Sequence, residues 1–451
     1  MSSRPSPCSP NRFSLHKAHD SPIPMNEQSS QSNFPKTAYV LLWFPEPTET
    51  FIFHEVLGVQ ALGLPTHVFT LYGEIKRHLS VSMQSLPDQV ERLGPRYALT
   101  AFAEVYAWWK RDAARTKHVL RTVPWRRWKG WEKCGENLWA FFCGFKLARR
   151  FVEESIEHIH APWAGGPATA AWVASNLTGI PFSFTARAWD IWPPDGGLVD
   201  KIRDAAFVRC NTRSNLYYLH QLAGLPLTSD DSSKIRLIYN GISLATPPLA
   251  AALMRSPYRF LALGRFIGKK GYEYLLQACR LLKDQGLDFR LTLAGDGPRA
   301  LKLKSLAEAL ELDGLVDFPG FIPHERVSEL FQTSDIFFMP SVVDITGDRD
   351  GIPNVILEAL VHRVPVIATD VSGIGEVVEN RVTGLLTPQR DPEAIARAVH
   401  EMLANREHAM TMAAEGREKV LRQFDPPTNY SRIRDTIAAT SFRTGRSARG
   451  S

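Results

Sequence analysis

The chain alternates short apolar runs with longer stretches in which apolar residues recur every three or four positions. In the first half TAYVLLWF, PTHVFTL, HIHA, PFSFTA, AFVRCN and KIRLIYN read as strands. In the second half YRFLALG, FRLTLAG, VDFPG, DIFFMP, PVIATD and GLLTP do so, each followed by a helical segment or a tight crossover. Such alternation predicts, in each half, a parallel sheet covered by helices on both faces, the α/β doubly wound arrangement. The stretch ISLATPPLAAALMRSP, with three prolines and little periodicity, separates the halves. Two open sheets joined by a linker face each other across a cleft. Ligands of such sheets sit beyond the carboxyl ends of the strands, so chemistry is sought in the strand-to-helix loops.

Composition changes this picture little. With 451 residues, 44% hydrophobic and 22% charged, the chain is an ordinary globular sequence long enough for two domains. Its five cysteines are odd in number and lack both C-x-x-C and zinc spacing, which argues against a disulfide scaffold or a metal site and fits a reducing cytoplasm. No run reaches the roughly 18 to 20 apolar residues of a membrane span, and no early hydrophobic stretch resembles a signal peptide. Residues 1–35 are rich in Ser, Pro, Asn and Gln and are expected to be disordered, with Met25 an alternative start to Met1.

Charge changes it more. Residues 108–133 hold nine Lys or Arg against Asp112 and Glu132, so this one segment carries +7 in a chain of net +6. It also holds Trp108, Trp109, Trp125, Trp128 and Trp131. Cations with interfacial tryptophans suit an anionic membrane surface. The alternative is a solvated helical hairpin whose tryptophans pack on the first sheet. Nucleic acid is not expected, because no binding module accompanies these residues.

The loops offer distinct chemistry. Strand FLALG runs through Gly264 into RFIGKKG, which delivers Arg265 and Lys270 to a helix start, two cations suited to a diphosphate or else an ordinary surface turn. The spacing is neither G-x-x-x-x-G-K-[ST] nor G-x-G-x-x-G. The next strand ends in AGDGP, where Gly295 and Gly297 form a tight turn that lets backbone approach a ligand or is simply structural. In DRDGIPNVILEAL, Pro353 predicts a helix starting near residues 352–354, with Asp350 in the loop and Glu358 inside an apolar run. A buried acid there requires donors, such as sugar hydroxyls, or a surface salt bridge. In the first half, Thr48 is the expected N-cap before Glu49 and Thr50. His160 sits at the end of HIHA as either a packed histidine or a base, and FTARAWDIW exposes Arg187, Trp189 and Asp190 toward the cleft.

These residues resemble glycosyltransferase family four, the retaining group 1 enzymes of GT-B fold, over about residues 37–440. GRFIGKKG followed by PSVVDITGDRDGIPNVILEALVHRVPVIATDVSGIGEVVENRVTGLLTP carries the strongest likeness. FPEPTETFIFHE and HIHAPWAGGPATAAWVASNLTGIPFSFTARAWDIW are similar to the subgroup making exopolysaccharide, colanic-acid-like or lipopolysaccharide units. The resemblance implies two Rossmann-like domains and transfer of a sugar, with retention, from a nucleoside-diphosphate sugar to a glycan or lipid-linked acceptor. It implies no metal or other cofactor, and a cytoplasmic site of action at the inner membrane face.

Residue by residue, the resemblance implies that Arg265 and Lys270 hold the diphosphate and Glu358 the ribose. Asp350, Gly351, Ile352, Pro353, Asn354 and Val355 then meet the sugar and phosphates. The expected organisation is 1–35 disordered, 36–245 acceptor-side domain with a basic helical insertion at about 95–150, 246–257 linker, 258–425 donor domain, 426–441 helix returning to the first domain, and 442–451 disordered tail. Two positions depart from the family. The first acid of its E-x7-E pair is here the shorter Asp350, and its T-A-H-A-H-D reads T-A-R-A-W-D, with Arg187 and Trp189 in place of histidines. Arg187 is no neutral base but can bind phosphate or carboxylate. A catalytically weak nucleotide-sugar-binding partner and a GT-B epimerase are the alternatives.

Overall fold

A computed structural model of the chain describes residues 34–47, 49–73, 79, 81–84, 90–123, 130–227, 233–242 and 254–447. The first sheet comprises β1 (Thr37–Leu41), β2 (Thr66–Thr70), β3 (Val90–Arg92), β4 (His158–Ala161), β5 (Phe182–Ala186), β6 (Phe207–Cys210) and β7 (Ile235–Leu237). All are parallel, in the order β3-β2-β1-β4-β5-β6-β7. Its helices are α1 (Thr50–Ala61), α2 (Val81–Gln84), α3 (Ala101–Arg111), α4 (Ala113–Thr122), α5 (Trp131–Glu153), α6 (Gly166–Thr178), α7 (Ala188–Ile191), α8 (Leu198–Asp204) and α9 (Arg213–Ala223). Strand β3 was not expected: the half-buried Val-Glu-Arg at a sheet edge has neither an apolar run nor a clear alternation to mark it.

The second sheet comprises β8 (Tyr258–Leu263), β9 (Phe289–Ala294), β10 (Val316–Asp317), β11 (Ile336–Met339), β12 (Val366–Thr369) and β13 (Leu385–Thr387). These too are parallel, ordered β10-β9-β8-β11-β12-β13. Around them lie α10 (Tyr272–Asp284), α11 (Ala300–Ala309), α12 (His324–Gln332), α13 (Asn354–Val361), α14 (Pro392–Ala404) and α15 (Arg406–Gln423). In each sheet the chain winds outward in one direction and returns to wind in the other, so the order reverses between β1 and β4 and between β8 and β11. Loops on either side of that reversal splay apart and leave a crevice.

The last helix, α16 (Pro426–Ser447), follows the second lobe in sequence but packs on the first. Ile433 and Ile437 are buried in one cluster with Tyr39, Ile52, Phe53 and Val56. The Tyr430 ring lies on α1 at Gly58, where a Cβ would approach it to 2.1 Å, and its hydroxyl donates to the Gly241 carbonyl at 3.1 Å. The helix continues past the expected end at 441, so 442–447 are helical. Thr48, most of the 242–257 stretch and the residues before 34 lie outside the described residues.

Candidate functional site

The second lobe builds one side of the cleft from the two loops at its reversal point. After β8 the chain makes a short 3-10 turn, Gly268–Lys270, and enters α10 at Gly271. Gly271 has φ of +62°, and a Cβ on it would lie 2.1 Å from the Pro340 carbonyl oxygen beyond β11, so only glycine lets the loops approach this closely. The Val342 amide, also beyond β11, donates to the Lys269 carbonyl at 2.8 Å and joins the loops.

Two lysine–aspartate pairs follow. Lys270 Nζ is 2.9 Å from Asp350 Oδ2, and Lys269 Nζ is 3.0 Å from Asp348 Oδ2 and 3.9 Å from Asp350 Oδ1. The Ser341 hydroxyl donates to Asp350 Oδ2 at 2.7 Å. Burial raises the buried Asp350 carboxyl, but Lys270, Lys269 and the bond from Ser341 outweigh it and hold the group below its ordinary range. Asp348 goes the other way, because burial outweighs its lysine.

From sequence Lys270 and Asp350 were separate site residues; their ion pair, doubled by Lys269 and Asp348, is supplied by the structure. Gly264 abuts the Lys270 side chain, and Arg265 stands exposed at the strand tip. Helix α13 starts at Asn354, just after Pro353, and buries Ile356, Leu357, Ala359 and Leu360. Glu358 is half-buried on its flank, more than a turn inside. Ile352 and Val355 pack on the core, and Gly351 faces Thr212 of the first lobe. At Gly295 and Gly297 the structure supplies a packing reason for glycine: Cβ atoms there would strike the Gly264 and Phe266 carbonyl oxygens at 2.0 and 2.8 Å.

The first lobe supplies the other side. Glu49 occupies the N-cap position of α1 without capping it; instead its Oε2 accepts from Trp163 Nε1 at 3.1 Å. Burial, only partly offset by that bond, pushes Glu49 up to about 7. Thr50 is the first residue of α1. Asp190 Oδ2 accepts from the Ala164 amide at 2.7 Å, and burial pushes its carboxyl up to about 8. Beside it Glu136, from the insertion helix α5, accepts from the Gly166 amide at 2.7 Å and is likewise raised by burial.

His160 is not at the cleft surface. Its ring is fully buried between Tyr39 and Phe207, Nδ1 bonds the Ser183 hydroxyl at 2.8 Å and Nε2 meets that of Thr185 at 3.3 Å. Burial, with Arg209 and Arg187 nearby, holds it well below its ordinary range and hence neutral.

Arg187 is not available to a ligand either. Its guanidinium is buried between Phe51 and Trp163, at 4.5 and 5.6 Å from the ring centroids. It donates to the Pro162 carbonyl at 3.1 Å, Asn240 Oδ1 at 2.8 Å and Glu55 Oε2 at 3.4 Å. Arg209 shares Glu55 Oε2 at 2.5 Å and donates to Asn240 at 3.1 Å. The expectation that Arg187 faces a phosphate or carboxylate of a substrate is thus corrected: a carboxylate of the chain already holds it.

Trp189 is half exposed and lies under two ammonium groups, Lys133 and, across the cleft, Lys269, each 5.9 Å from its ring centroid. Arg349 stacks on Trp192 at 4.1 Å. Deeper in, Glu376 of the second lobe accepts from the Tyr239 hydroxyl at 2.9 Å and from the Ser214 amide at the start of α9 at 3.2 Å. Glu136 and Glu376 had no local pattern to mark them; each acts across a distance only the fold closes.

Residues 252–419, which contain both lysine–aspartate pairs, match the family model described as "Glycosyl transferases group 1". The second lobe is thus similar in sequence to the group 1 glycosyltransferases. Relatives that match this chain include the putative colanic acid biosynthesis glycosyltransferase WcaL of Escherichia coli strain K12, 37% identical over 172 residues, or 38% of this chain and 42% of that protein. The amylovoran biosynthesis glycosyltransferase AmsK of Erwinia amylovora is 31% identical over 184 residues, 41% of this chain and 45% of that protein. These matches span less than half of either relative.

Solved structures match over both lobes. Anabaena HepE in complex with UDP and glucose has a TM-score of 0.64 at 16% identity, covering 90% of this chain and 100% of that one. Sucrose-phosphate synthase of Thermosynechococcus elongatus has a TM-score of 0.65 at 18% identity, covering 92% and 100%. With two parallel-sheet lobes facing across a cleft, the matched lobe is the second half of a GT-B fold, as the sequence led one to expect.

Proposed function

We propose that this protein transfers a sugar from a nucleoside-diphosphate sugar to a glycan or lipid-linked glycan acceptor, with retention at the anomeric carbon, in exopolysaccharide or lipopolysaccharide synthesis. The observation that carries this reading is the double lysine–aspartate pair at the reversal point of the matched lobe. Breaking the bond between sugar and diphosphate builds charge on the leaving phosphate oxygens, and fixed cations lower that barrier. Lys270 leaves Asp350 for an arriving phosphate, so its ammonium is paired before and after binding. Arg265 closes on the phosphates from the exposed strand tip, and Glu358 takes the ribose. Ile352 to Val355 line the approach to the start of α13.

On the opposite wall Asp190, carrying its proton up to about pH 8, donates a hydrogen bond to the acceptor or transferred sugar. The lysines supply the positive charge, so the reading calls for no metal. The colanic acid and amylovoran names of the relatives support a polysaccharide product, and the UDP bound by HepE supports a nucleotide donor.

The sequestered Arg187 favours a second reading, a catalytically weak nucleotide-sugar-binding partner of an assembly complex, with a GT-B epimerase as the enzyme alternative. Nucleotide release from candidate donors decides. Lys270→Ala and Glu358→Ala are each expected to lower turnover by roughly a hundredfold. If both left turnover and nucleotide affinity unchanged, the site assignment would be wrong. A large gain from Arg187→His would favour the weak binder.

A further inference from the structure

The outer face of α3 is apolar where a solvated helix would be polar. Its inner face is fully accounted for: Trp108 donates to the Phe145 carbonyl at 2.9 Å, and Glu104 pairs with Arg149 at 2.8 Å and Lys146 at 3.3 Å. On the opposite side Phe102, Tyr106 and Trp109 are 77%, 59% and 43% exposed, and Leu99, just before the helix, is 89% exposed. Spaced three and four apart, the aromatic residues form one stripe along a helix about 16 Å long.

Exposed cations accompany this stripe along α3 and α4. Lys110 Nζ lies 4.7 Å over the Tyr106 ring, and Arg111, Lys117 and Arg121 stand exposed along the end of α3 and the adjoining α4. The acid between these helices, Asp112, is already used, capping α4 through the Arg115 amide at 2.9 Å and pairing with the Arg115 side chain at 3.4 Å. From sequence the tryptophans of the basic segment either met a membrane or packed on the first sheet: Trp108 is core, Trp109 joins the exposed stripe with Leu99, Phe102 and Tyr106, and Trp125 and Trp128 lie outside the described residues.

We propose that this face docks on an anionic lipid bilayer, the aromatic stripe entering the headgroup boundary while the lysines and arginines meet lipid phosphates. Charge selects this occupant. A second copy placed face to face would oppose the same cations to one another, whereas an anionic surface complements all of them. No helix among the described residues is long and apolar enough to cross a membrane. The inference is independent of the transfer chemistry, since docking needs neither donor nor acceptor.

Flotation of the full chain with vesicles tests it. Binding is expected to phosphatidylcholine–phosphatidylglycerol vesicles, to be weak to phosphatidylcholine alone, and to fall with added salt. Lys117→Gln with Arg121→Gln should weaken binding roughly 25-fold, each cation near an anionic surface contributing about five-fold. Phe102→Ser with Trp109→Ser, both exposed and therefore compatible with folding, should abolish salt-resistant binding. Equal binding to the two vesicle types, or wild-type binding by both double variants, would refute the proposal. So would a wild-type dimer that Phe102→Ser with Trp109→Ser converts to a monomer, which would make this face a contact between copies.

Discussion

Replacing Arg187 with alanine removes a guanidinium that joins three strand-end loops of the first lobe. It touches Pro162 after β4, Asn240 after β7, and Phe51 and Glu55 on α1. Losing one member of a buried ion pair typically costs about 3–5 kcal/mol because the partner is left unpaired. Here Glu55 keeps Arg209 at 2.5 Å and Asn240 keeps the bond from Arg209 at 3.1 Å, so that cost is largely avoided. What remains is the Pro162 carbonyl without its donor, about 1–3 kcal/mol, and two cation–π contacts worth about 0.5–2 kcal/mol each.

Arg187→Ala should therefore destabilise by about 2–7 kcal/mol. Arg209→Ala should destabilise by about 3–5 kcal/mol, because Glu55 then depends on the longer 3.4 Å contact and the Ile238 and Tyr239 carbonyls also lose their donor. Urea unfolding of the two variants, followed by fluorescence, measures both losses. Lysine at 187 should recover little, since one ammonium lacks the planar fork that spans these acceptors. An Arg187→Ala variant as stable as wild type would refute the positioning role.

Two further outcomes follow from the cleft. The Asp190 carboxyl is raised by burial to about 8, so the folded state holds a proton that the unfolded chain releases near pH 4. Its stabilising contribution is complete below that lower value and is lost as pH rises to about 8, so wild type should lose stability relative to Asp190→Asn between about pH 4 and 8; parallel urea midpoints for the two would contradict the assignment. Glu376→Ala removes the acceptor shared by Tyr239 and Ser214 across the lobes, and small-angle scattering should show a larger radius of gyration, whereas an unchanged radius would mean the other cross-lobe contacts suffice.

Apart from β3, the strands and the reversal-point loops were legible from sequence because both follow from local rules. Apolar runs with helical segments between them dictate parallel sheets, and Pro353 together with the acids around it marks the loop where α13 begins. Lys270 and Asp350 were recognisable as site residues, but their mutual contact and its twin at Lys269 and Asp348 were not, since pairing across 80 residues depends on β8 and β11 lying side by side.

The same limit explains Arg187. Its residue type excludes a neutral base, yet whether it faces ligand or core depends on Glu55, 132 positions away in sequence. Residue type and periodicity thus marked the loops that end the strands and the charges they carry. Only tertiary structure decided which of those charges are already paired, because an ion pair depends on distance in space, and the hydrophobic pattern that builds the sheets carries no record of it.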